Sequence, residues 1–377
     1  MRVALVSMRF DTRGGSERRT FQLARGLISA GHAVEVFAAN AEDVDIDAGI
    51  NIVPMSGGPS FLKVMSFTKN VNRMLAERHD IDIVHNQIRP FTDGIVTVGG
   101  GCHAENLERR GGYSRYINPL HHVVLGMERE RYMEGGCQAV ITNSEFSKKG
   151  ILRHYPMPPE KVFVAYNGVD SVKFNPGSAA VHRVDVRSRY GINDEPVLLF
   201  LGSGFRRKGL QAVIKALSLL KGSGKASGRS RLIVVGKDRP APYMKLAARL
   251  GVSDRITFAG PTRTPEAFYG AADIFILPTR YDPFSNATLE AMACGLPVIT
   301  THSNGVSEII QEGENGFVLK SPDDCEGIAE TVDCILSEGA GTSTGANARS
   351  TVEKLTWDST LASTLAVYEA VLLAGRH

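Results

Sequence analysis

The chain has 377 residues, of which 43% are hydrophobic and 22% are charged, so it is long enough to bury two cores of ordinary domain size. Its formal net charge of +3 is small for this length and argues against a dedicated nucleic-acid binder. The 5 cysteines lie far apart without a Cys-x-x-Cys pair, which is typical of a reducing compartment. No apolar stretch is long enough for a signal peptide or a membrane-spanning helix, so we expect a cytoplasmic protein.

In the first half of the chain, short apolar runs alternate with helical stretches. Four strands are predicted, at residues 2–7, 32–38, 81–85 and 94–98. Such alternation is typical of a parallel α/β domain. Gly14 and Gly15 lie between the first strand and the next helix, where the backbone either turns tightly or approaches a ligand closely.

A glycine-rich segment ends at His103, at the expected carboxyl end of the fourth strand. Ligands bind at this end of parallel strands, so His103 is a candidate site residue, and Glu105 is a weaker candidate for the same neighbourhood. A surface or structural role for His103 fits the sequence equally well.

Arginines and histidines alternate with aromatic and aliphatic residues from residue 106 to residue 134. A basic face with apolar neighbours is able to rest on an anionic membrane surface. Four glutamates dilute this positive charge, so a solvated helix that packs on its own domain is the alternative.

The predicted strand at residues 197–201 runs into Gly202 and Ser203, and then into a basic stretch before a helix. The cations of this stretch are Arg206, Arg207 and Lys208. Glycines and cations at the start of a helix predict a binding site for a diphosphate.

A short helix is predicted from Asn286 to Cys294, because Ser285 can cap its start and Gly295 ends it. The backbone N–H groups expected to face a phosphate are those of Ser285, Asn286, Ala287 and Thr288.

Two acids flank this helix start, Asp282 before it and Glu290 inside it. Acids beside a diphosphate would repel it, so we expect them to accept hydrogen bonds from sugar hydroxyls. After the next strand, Asn304, Gly305 and Val306 are expected to present backbone N–H groups to the same ligand.

The frame Asp-Pro-Phe-(x4)-Leu-Glu-Ala-Met-Ala-Cys-Gly-Leu-Pro-Val at residues 282–298 resembles the donor-site motif of the family 4 retaining glycosyltransferases of GT-B fold. The family more often has Glu where Asp282 stands. The segment at residues 202–209, Gly-Ser-Gly-Phe-Arg-Arg-Lys-Gly, is similar in particular to the lipopolysaccharide core glucosyltransferase subgroup. Ser203 stands where the family usually has arginine.

The resemblance implies an α/β protein of GT-B fold, with two Rossmann-like α/β/α domains facing a deep interdomain cleft. The acceptor-binding domain would span residues 1–175, and the nucleotide-sugar-binding domain would span residues 190–358. Between them, residues 175–196 are polar and turn-rich, as expected of a linker. Residues 359–377 would form a C-terminal helix that crosses back to the first domain.

The implied function is retaining transfer of a hexose, expected to be glucose, from a UDP-sugar to a hydroxyl of a glycan acceptor. The expected acceptor is lipopolysaccharide core or a related cell-surface glycan, which places the enzyme in the cytoplasm with peripheral contact to the inner membrane surface. One alternative is another GT-B reaction, either epimerisation of a UDP-sugar or transfer to a soluble sugar phosphate. The other is a nucleotide-sugar-binding protein without activity.

The resemblance also assigns roles to residues. The implied catalytic residues are Asp282, Lys208 and His103, of which His103 would contact the sugar near its reacting carbon. The implied donor-binding residues are Gly15, Gly202, Ser203, Arg207, Lys208, Gly236, Lys237, Arg263, Ser285, Asn286, Ala287, Thr288 and Glu290.

No metal is expected, because these cations would supply the positive charge that the departing phosphate needs. Closely spaced aspartates do occur, at residues 43–47 and at Asp80 and Asp82, but without supporting ligands. The expected partners are therefore a UDP-sugar and a glycan or lipid-linked acceptor, without nucleic acid.

Overall fold

The computed structural model describes residues 1–12, 14–42, 44–110, 117–223, 225–337 and 340–375. Asp43, and residues 111–116 of the predicted basic segment, lie outside these ranges. The chain forms two compact units. Unit 1 comprises Met1–Gly168 and Trp357–His377, and unit 2 comprises Val169–Thr356.

Unit 1 is built on a parallel sheet with strand order β3-β2-β1-β4-β5-β6-β7. Its strands are β1 Arg2–Phe10, β2 Ala33–Ala41, β3 Gly49–Ile52, β4 Ile83–Gln87, β5 Gly94–Val98, β6 Cys137–Thr142 and β7 Val162–Val164. Alternate residues of β1 enter different cores, Val3 and Leu5 on one face and Ala4 and Val6 on the other. Strands buried on both faces are typical of a parallel sheet covered by helices on each side.

Among the described residues of unit 1 before β7, five α-helices alternate with these strands. They are α1 Gly15–Ser29, α2 Ser60–Ala76, α3 His103–Arg110, α4 Pro119–Met133 and α5 Glu145–His154. A short 3-10 helix, Pro159–Lys161, precedes β7.

Unit 2 holds a second parallel sheet, with strand order β10-β9-β8-β11-β12-β13. Its strands are β8 Val197–Leu201, β9 Arg231–Val235, β10 Ile256–Gly260, β11 Ile274–Ile276, β12 Val298–Thr301 and β13 Phe317–Leu319. The strand order reverses between β8 and β11, so the loops that leave these two strands diverge. In open α/β sheets, ligands bind at such a reversal, outside the carboxyl ends of the strands.

The helices of unit 2 are α6 Pro176–Ala180, α7 Arg183–Arg189, α8 Leu210–Leu220, α9 Ala241–Arg249, α10 Pro265–Ala271, α11 Asn286–Ala293, α12 Cys325–Ser337 and α13 Ala340–Val352. The 3-10 helices are Ala226–Arg229, Ser253–Arg255 and Gly305–Ile309. Residues 175–196, which the sequence predicts as a linker, contain α6 and α7, and both helices pack on α10 within unit 2.

The last helix, α14 Trp357–Ala374, belongs to unit 1 and packs on α1. Tyr368 of this helix is buried, and its hydroxyl lies 2.6 Å from Nδ1 of His85 on β4. Burial lowers the pKa of His85 to about 3, so its ring is neutral and bonds to the hydroxyls of Tyr368 and Thr97. The expected return of the last helix to the first domain is therefore confirmed.

Two of the closely spaced aspartates hold the start of β1. Asp80 accepts a hydrogen bond from the Arg2 guanidinium at 2.6 Å, and Asp82 accepts one from the Arg2 backbone N–H at 2.7 Å. Arg78 also binds Asp80, at 2.8 Å. Within the described ranges, no helix has both the length and the apolar composition required to cross a bilayer.

Candidate functional site

A lysine and an aspartate meet where the strand order of unit 2 reverses. Lys208 follows β8 and Asp282 follows β11, and Nζ of Lys208 lies 3.1 Å from Oδ2 of Asp282. The two side chains are only 10% and 13% exposed. Arg207 lies 3.5 Å from the same carboxylate oxygen and donates to the backbone carbonyl of Tyr281 at 2.6 Å. One carboxylate thus faces two cations, and a positive charge remains for an anionic ligand.

The backbone of Asp282 is fixed from the neighbouring loop. Its N–H donates to the carbonyl of Ser303 at 2.9 Å, and its carbonyl accepts from the N–H of Gly305 at 2.9 Å. The sequence predicts that Asp282 accepts from sugar hydroxyls, but in this structure its carboxylate binds Lys208 and Arg207.

Two predicted glycines are required by close packing around Lys208. Gly202 has φ 143°, and a Cβ there would lie 2.8 Å from Cδ of Lys208. Gly236 has φ 159°, and a Cβ there would lie 2.5 Å from the carbonyl oxygen of Gly202. Ser203 joins the same two strand ends, since its hydroxyl accepts from the N–H of Lys237 at 3.4 Å. A side chain at Gly236 would therefore clash with the end of β8, and a side chain at Gly202 would clash with Lys208.

Helix α11 begins as predicted, with Ser285 as its cap. Oγ of Ser285 accepts from the N–H of Thr288 at 3.3 Å, and the N–H of Ser285 donates to Oδ1 of Asn304 at 3.2 Å. These two N–H groups are used inside the protein, which corrects the prediction that they serve a phosphate. The assignments of Asn286 and Ala287 as donor contacts stay predictions.

Asn304 is a buried organising residue whose side chain the sequence analysis missed. Its Oδ1 accepts from the N–H groups of Ser285 and Val306, both at 3.2 Å. Its Nδ2 donates to the hydroxyls of Thr288 at 3.3 Å and Thr300 at 2.9 Å. The prediction that Gly305 and Val306 offer N–H groups to a ligand is wrong, because these groups donate to Asp282 and Asn304. The sequence signal for the role of the Asn304 side chain was its position as an asparagine cap before the 3-10 helix Gly305–Ile309.

Replacing Asn304 by alanine is expected to destabilise the protein by about 3 kcal/mol, because buried N–H groups and hydroxyls would lose their partners. Denaturant unfolding measures this change. The matched control is Asn347→Ala, since Asn347 is exposed and its amide makes one bond, to the Glu314 carbonyl at 3.0 Å. A loss below about 0.5 kcal/mol is expected for this control. Equal losses for both variants would contradict the role given to Asn304.

Glu290, the second predicted acid, lies buried on α11. Its Oε2 accepts from the hydroxyl of Tyr269 at 2.9 Å, and the same hydroxyl lies 3.0 Å from the Ala287 carbonyl. Tyr269 is on α10 and packs against Phe174 and Phe275. Sequence reasoning missed this tyrosine, which holds the carboxylate in one position.

A pocket of about 230 Å³ lies beside the ends of β9 and β10. Its lining residues are Phe205, Val234, Gly236, Lys237, Asp238, Pro240, Phe258, Gly260 and Pro261. Asp238 joins the pocket to the loop after β8, since its carboxylate accepts from the N–H of Phe205 at 2.5 Å. The predicted residues Gly236 and Lys237 line the pocket, whereas Arg263 is exposed and does not. Apolar walls with few polar groups suit a flat heterocyclic ring.

In unit 1, Gly15 is the exposed first residue of α1, and His103 is the first residue of α3. His103 donates its N–H to Oε1 of Glu128 at 2.6 Å, and its Nε2 lies 3.0 Å from Nδ1 of His121. Glu128 also accepts from the N–H of Ala104 at 3.3 Å. Burial raises the pKa of Glu128, and the N–H of His103 opposes this shift. Glu128, which the sequence analysis missed, therefore fixes the position of His103.

Glu105, the weaker candidate in unit 1, is a buried acid whose ion-pair partners are partly exposed. It binds Arg109 at 2.5 Å, Arg153 at 2.7 Å and His154 at 3.0 Å. Burial opposes its ionisation, but Arg109, Arg153 and His154 together outweigh burial and hold the pKa of Glu105 below its usual value.

Among the residues that the structure describes, Glu105, Glu108 and His154 form the one group with metal-ligand spacing. Arg153 binds both glutamates and Arg109 binds Glu105, so two positive charges already balance the two carboxylates.

The described part of the basic segment packs on its own domain. Leu120, Val123 and Met127 of α4 lie against the core of unit 1, and Val124 is fully buried. Arg131 binds Asp93. The apolar face of α4 is thus used inside unit 1, which favours the second of the two interpretations.

Two family models match this sequence. Residues 13–173 match Glycosyltransferase Family 4, and residues 195–338 match Glycosyl transferases group 1. The boundary between the two matches lies close to the boundary between the two units.

Curated relatives cover nearly the whole chain. An uncharacterized glycosyltransferase of Methanocaldococcus jannaschii is 29% identical and covers 100% of both chains. The D-inositol 3-phosphate glycosyltransferase of Jonesia denitrificans is 27% identical, over 96% of this chain and 92% of its own. The lipopolysaccharide glucosyltransferase WaaG of Escherichia coli is 24% identical, over 90% of each chain.

Two solved structures show the same fold. WaaG, a glycosyltransferase involved in lipopolysaccharide biosynthesis, superposes with a TM-score of 0.81 at 23% identity, over 97% of this chain and 98% of its own. Anabaena HepE in complex with UDP-glucose superposes with a TM-score of 0.74 at 18% identity, over 97% and 99%. The expected GT-B fold, with two Rossmann-like domains, is confirmed by this likeness.

Proposed function

Because this chain belongs to the glycosyltransferases of GT-B fold, we propose that it moves glucose from UDP-glucose to a hydroxyl of a glycan with retention of the anomeric configuration. One observation carries this proposal. Lys208 and Asp282 meet at the strand-order reversal of unit 2, helix α11 with Glu290 follows Asp282 in the chain, and an apolar pocket lies beside the ends of β9 and β10. Cations, hydroxyl acceptors and a ring-sized pocket are the three elements that a nucleotide sugar requires.

In the proposed complex, the uracil occupies the pocket beside Phe205 and Phe258, and Glu290 accepts from the ribose hydroxyls. Tyr269 supports this role, because its hydroxyl donates to Oε2 of Glu290 at 2.9 Å and holds the carboxylate in one position. Lys208, with Arg207 and the start of α11, binds the diphosphate. The assignments of His103 as a catalytic residue and of Gly15 as a donor-binding residue stay predictions.

Asp282 changes its partner in this proposal. A diphosphate carries more negative charge than one carboxylate, so it takes over Lys208 as its partner. The Asp282 carboxylate then becomes available to a sugar hydroxyl, which reconciles the predicted role with the observed ion pair.

The chemical step breaks the bond between the anomeric carbon and the β-phosphate oxygen. Negative charge grows on that oxygen, and Lys208 stabilises it in a partly dry site. The acceptor hydroxyl attacks from the face that the phosphate leaves, and the departing phosphate takes its proton. This route uses no covalent enzyme intermediate and no metal, as the sequence predicts.

For the acceptor, we propose lipopolysaccharide core or a related cell-surface glycan, made at the inner face of the cytoplasmic membrane. The similarity to WaaG supports this choice, and the complex of HepE with UDP-glucose supports the sugar donor. A soluble inositol phosphate is the second candidate acceptor, because a D-inositol 3-phosphate glycosyltransferase matches over most of its length.

A panel of sugar donors tests this proposal. UDP-glucose, UDP-galactose, UDP-N-acetylglucosamine and GDP-mannose are compared for thermal stabilisation and slow hydrolysis, with and without a chelator. UDP-glucose is expected to stabilise the protein most, by about 2.7 kcal/mol at 100 times its Kd, and the released sugar is expected to be the α-anomer by NMR. Hydrolysis is expected to be unaffected by the chelator.

Preference for another sugar donor would overturn the assignment of UDP-glucose. Loss of hydrolysis with the chelator would overturn the metal-free mechanism, and release of the β-anomer would overturn retention of the anomeric configuration. Tight binding without turnover, even with glycan acceptors, would indicate a binding protein instead.

A further inference from the structure

Helix α2 of unit 1 presents an unusual solvent face. Its buried residues are Val64, Phe67 and Val71. The residues that helical periodicity places opposite them are Leu62, Met65, Lys69 and Arg73. Leu62 is 41% exposed and Met65 is 51% exposed, and both basic residues are exposed. The helix therefore buries one apolar stripe in the core and exposes a second apolar pair followed by two cations.

The preceding loop extends this face. Met55 in the loop is 38% exposed, and Ile52 at the end of the edge strand β3 is 55% exposed. The loop lies against α2, because the N–H of Ser56 donates to Ser66 at 2.9 Å and Asn70 donates to the Pro54 carbonyl at 2.8 Å. We call this the α2 surface, which comprises Ile52, Met55, Leu62, Met65, Lys69 and Arg73.

The charge of the α2 surface has one sign. Helix α2 contains Lys63, Lys69 and Arg73 and no acidic residue. Apolar side chains with basic neighbours are the composition of helices that lie in the interface of an anionic bilayer. Helix α4, the membrane contact considered from the sequence, instead packs Leu120, Val123, Val124 and Met127 into unit 1, and it contains Glu128 and Glu130.

We propose that the α2 surface contacts an anionic lipid bilayer. Leu62, Met65 and Met55 enter the boundary between headgroups and acyl chains, while Lys69 and Arg73 pair with lipid phosphates. The inference deepens the membrane location proposed above by naming the surface, and it does not depend on the sugar-donor site.

Vesicle sedimentation of the full chain tests this surface without any nucleotide sugar. Vesicles of phosphatidylcholine alone are compared with vesicles that also contain phosphatidylglycerol. The double variant Lys69→Gln with Arg73→Gln is expected to weaken binding to the anionic vesicles about 25-fold, because each of the two lost charges contributes about fivefold to the affinity. This difference is expected to shrink at high salt. Leu62→Ser with Met65→Ser is expected to weaken binding about tenfold at low and at high salt.

The matched control is Lys245→Gln with Arg249→Gln on α9. These exposed residues are the same two types at the same spacing, and Met244 beside them is also exposed. Binding by this control is expected to equal that of the unchanged chain.

Three results would overturn the proposal. They are an equal loss for the α9 control, no loss for either α2 variant, and a dimer in solution that the α2 variants dissociate. Because the α2 side chains are exposed, all variants are expected to keep the thermal stability and slow donor hydrolysis of the unchanged chain. A failure here would therefore leave the sugar-donor proposal intact, and a failed donor panel would leave this one intact.

Discussion

Lys208→Ala is expected to lower kcat/KM for the UDP-sugar by about 10²- to 10³-fold, which is the usual cost of removing a fixed group aimed at developing negative charge. Lys208 is suited to this role because it is almost buried and is already held 3.1 Å from a carboxylate by close packing at Gly202. Steady-state rates of UDP release measure the effect. Arg207 remains in the variant, but its guanidinium is more exposed and is anchored to the Tyr281 carbonyl.

The control for this variant is Lys215→Ala, because Lys215 is an exposed lysine on the adjoining helix α8. Its kcat/KM is expected to match that of the unchanged enzyme. Lys208→Ala also leaves Asp282 with one cation fewer, so thermal unfolding is measured in parallel. Normal turnover by Lys208→Ala, or equal losses in both lysine variants, would refute the assignment of the diphosphate site.

Glu290→Gln is expected to weaken binding of the nucleotide by about 10- to 150-fold, because hydrogen bonds to a charged acceptor contribute about 1.5–3 kcal/mol. The glutamine has the same shape, so packing on α11 is preserved, but its amide replaces one acceptor oxygen with a donor. Calorimetric titration with UDP measures this loss. Because Glu290 is proposed to bind the ribose hydroxyls, 2′-deoxy-UDP lacks one of its partners. The unchanged protein and Glu290→Gln are therefore expected to bind 2′-deoxy-UDP with similarly low affinity.

The variant Tyr269→Phe tests whether Tyr269 only positions Glu290, while Glu290 itself contacts the nucleotide. It removes the hydroxyl that donates to Glu290 at 2.9 Å and keeps the ring packed on Phe174 and Phe275. We expect a loss of a few-fold, smaller than for Glu290→Gln, since the carboxylate remains. Equal affinity of the unchanged protein and Glu290→Gln for UDP would remove Glu290 from the site.

Much of the fold was predictable because its signals are local. The strand at residues 197–201 and the capped start of α11 were predicted from apolar runs and from Ser285, and the structure contains both. Lys208 and Asp282 were placed in one site by the resemblance to the family, and the structure brings them together. That Asp282 faces Lys208 depends on loop geometry, which residue types alone do not specify.

The missed residues have partners distant in the sequence. Glu128 holds His103, and Tyr269 holds Glu290, across elements whose packing no local pattern reveals. The prediction of a linker at residues 175–196 failed for a different reason, because local signals for a helix were present in this stretch. Asn175 forms a capping box with Ser178, and Pro176 occupies the first turn, which together start helix α6.

The central claim is that unit 2 binds the nucleotide sugar around Lys208, and a crystal structure with UDP-glucose tests it most directly. We expect the uracil in the pocket beside Phe205 and Phe258, the ribose hydroxyls on Glu290, and the β-phosphate within hydrogen-bonding distance of Nζ of Lys208. We also expect the Asp282 carboxylate to have left Lys208 for a sugar hydroxyl. UDP-glucose bound elsewhere, or bound here with the ion pair between Lys208 and Asp282 intact, would contradict the account.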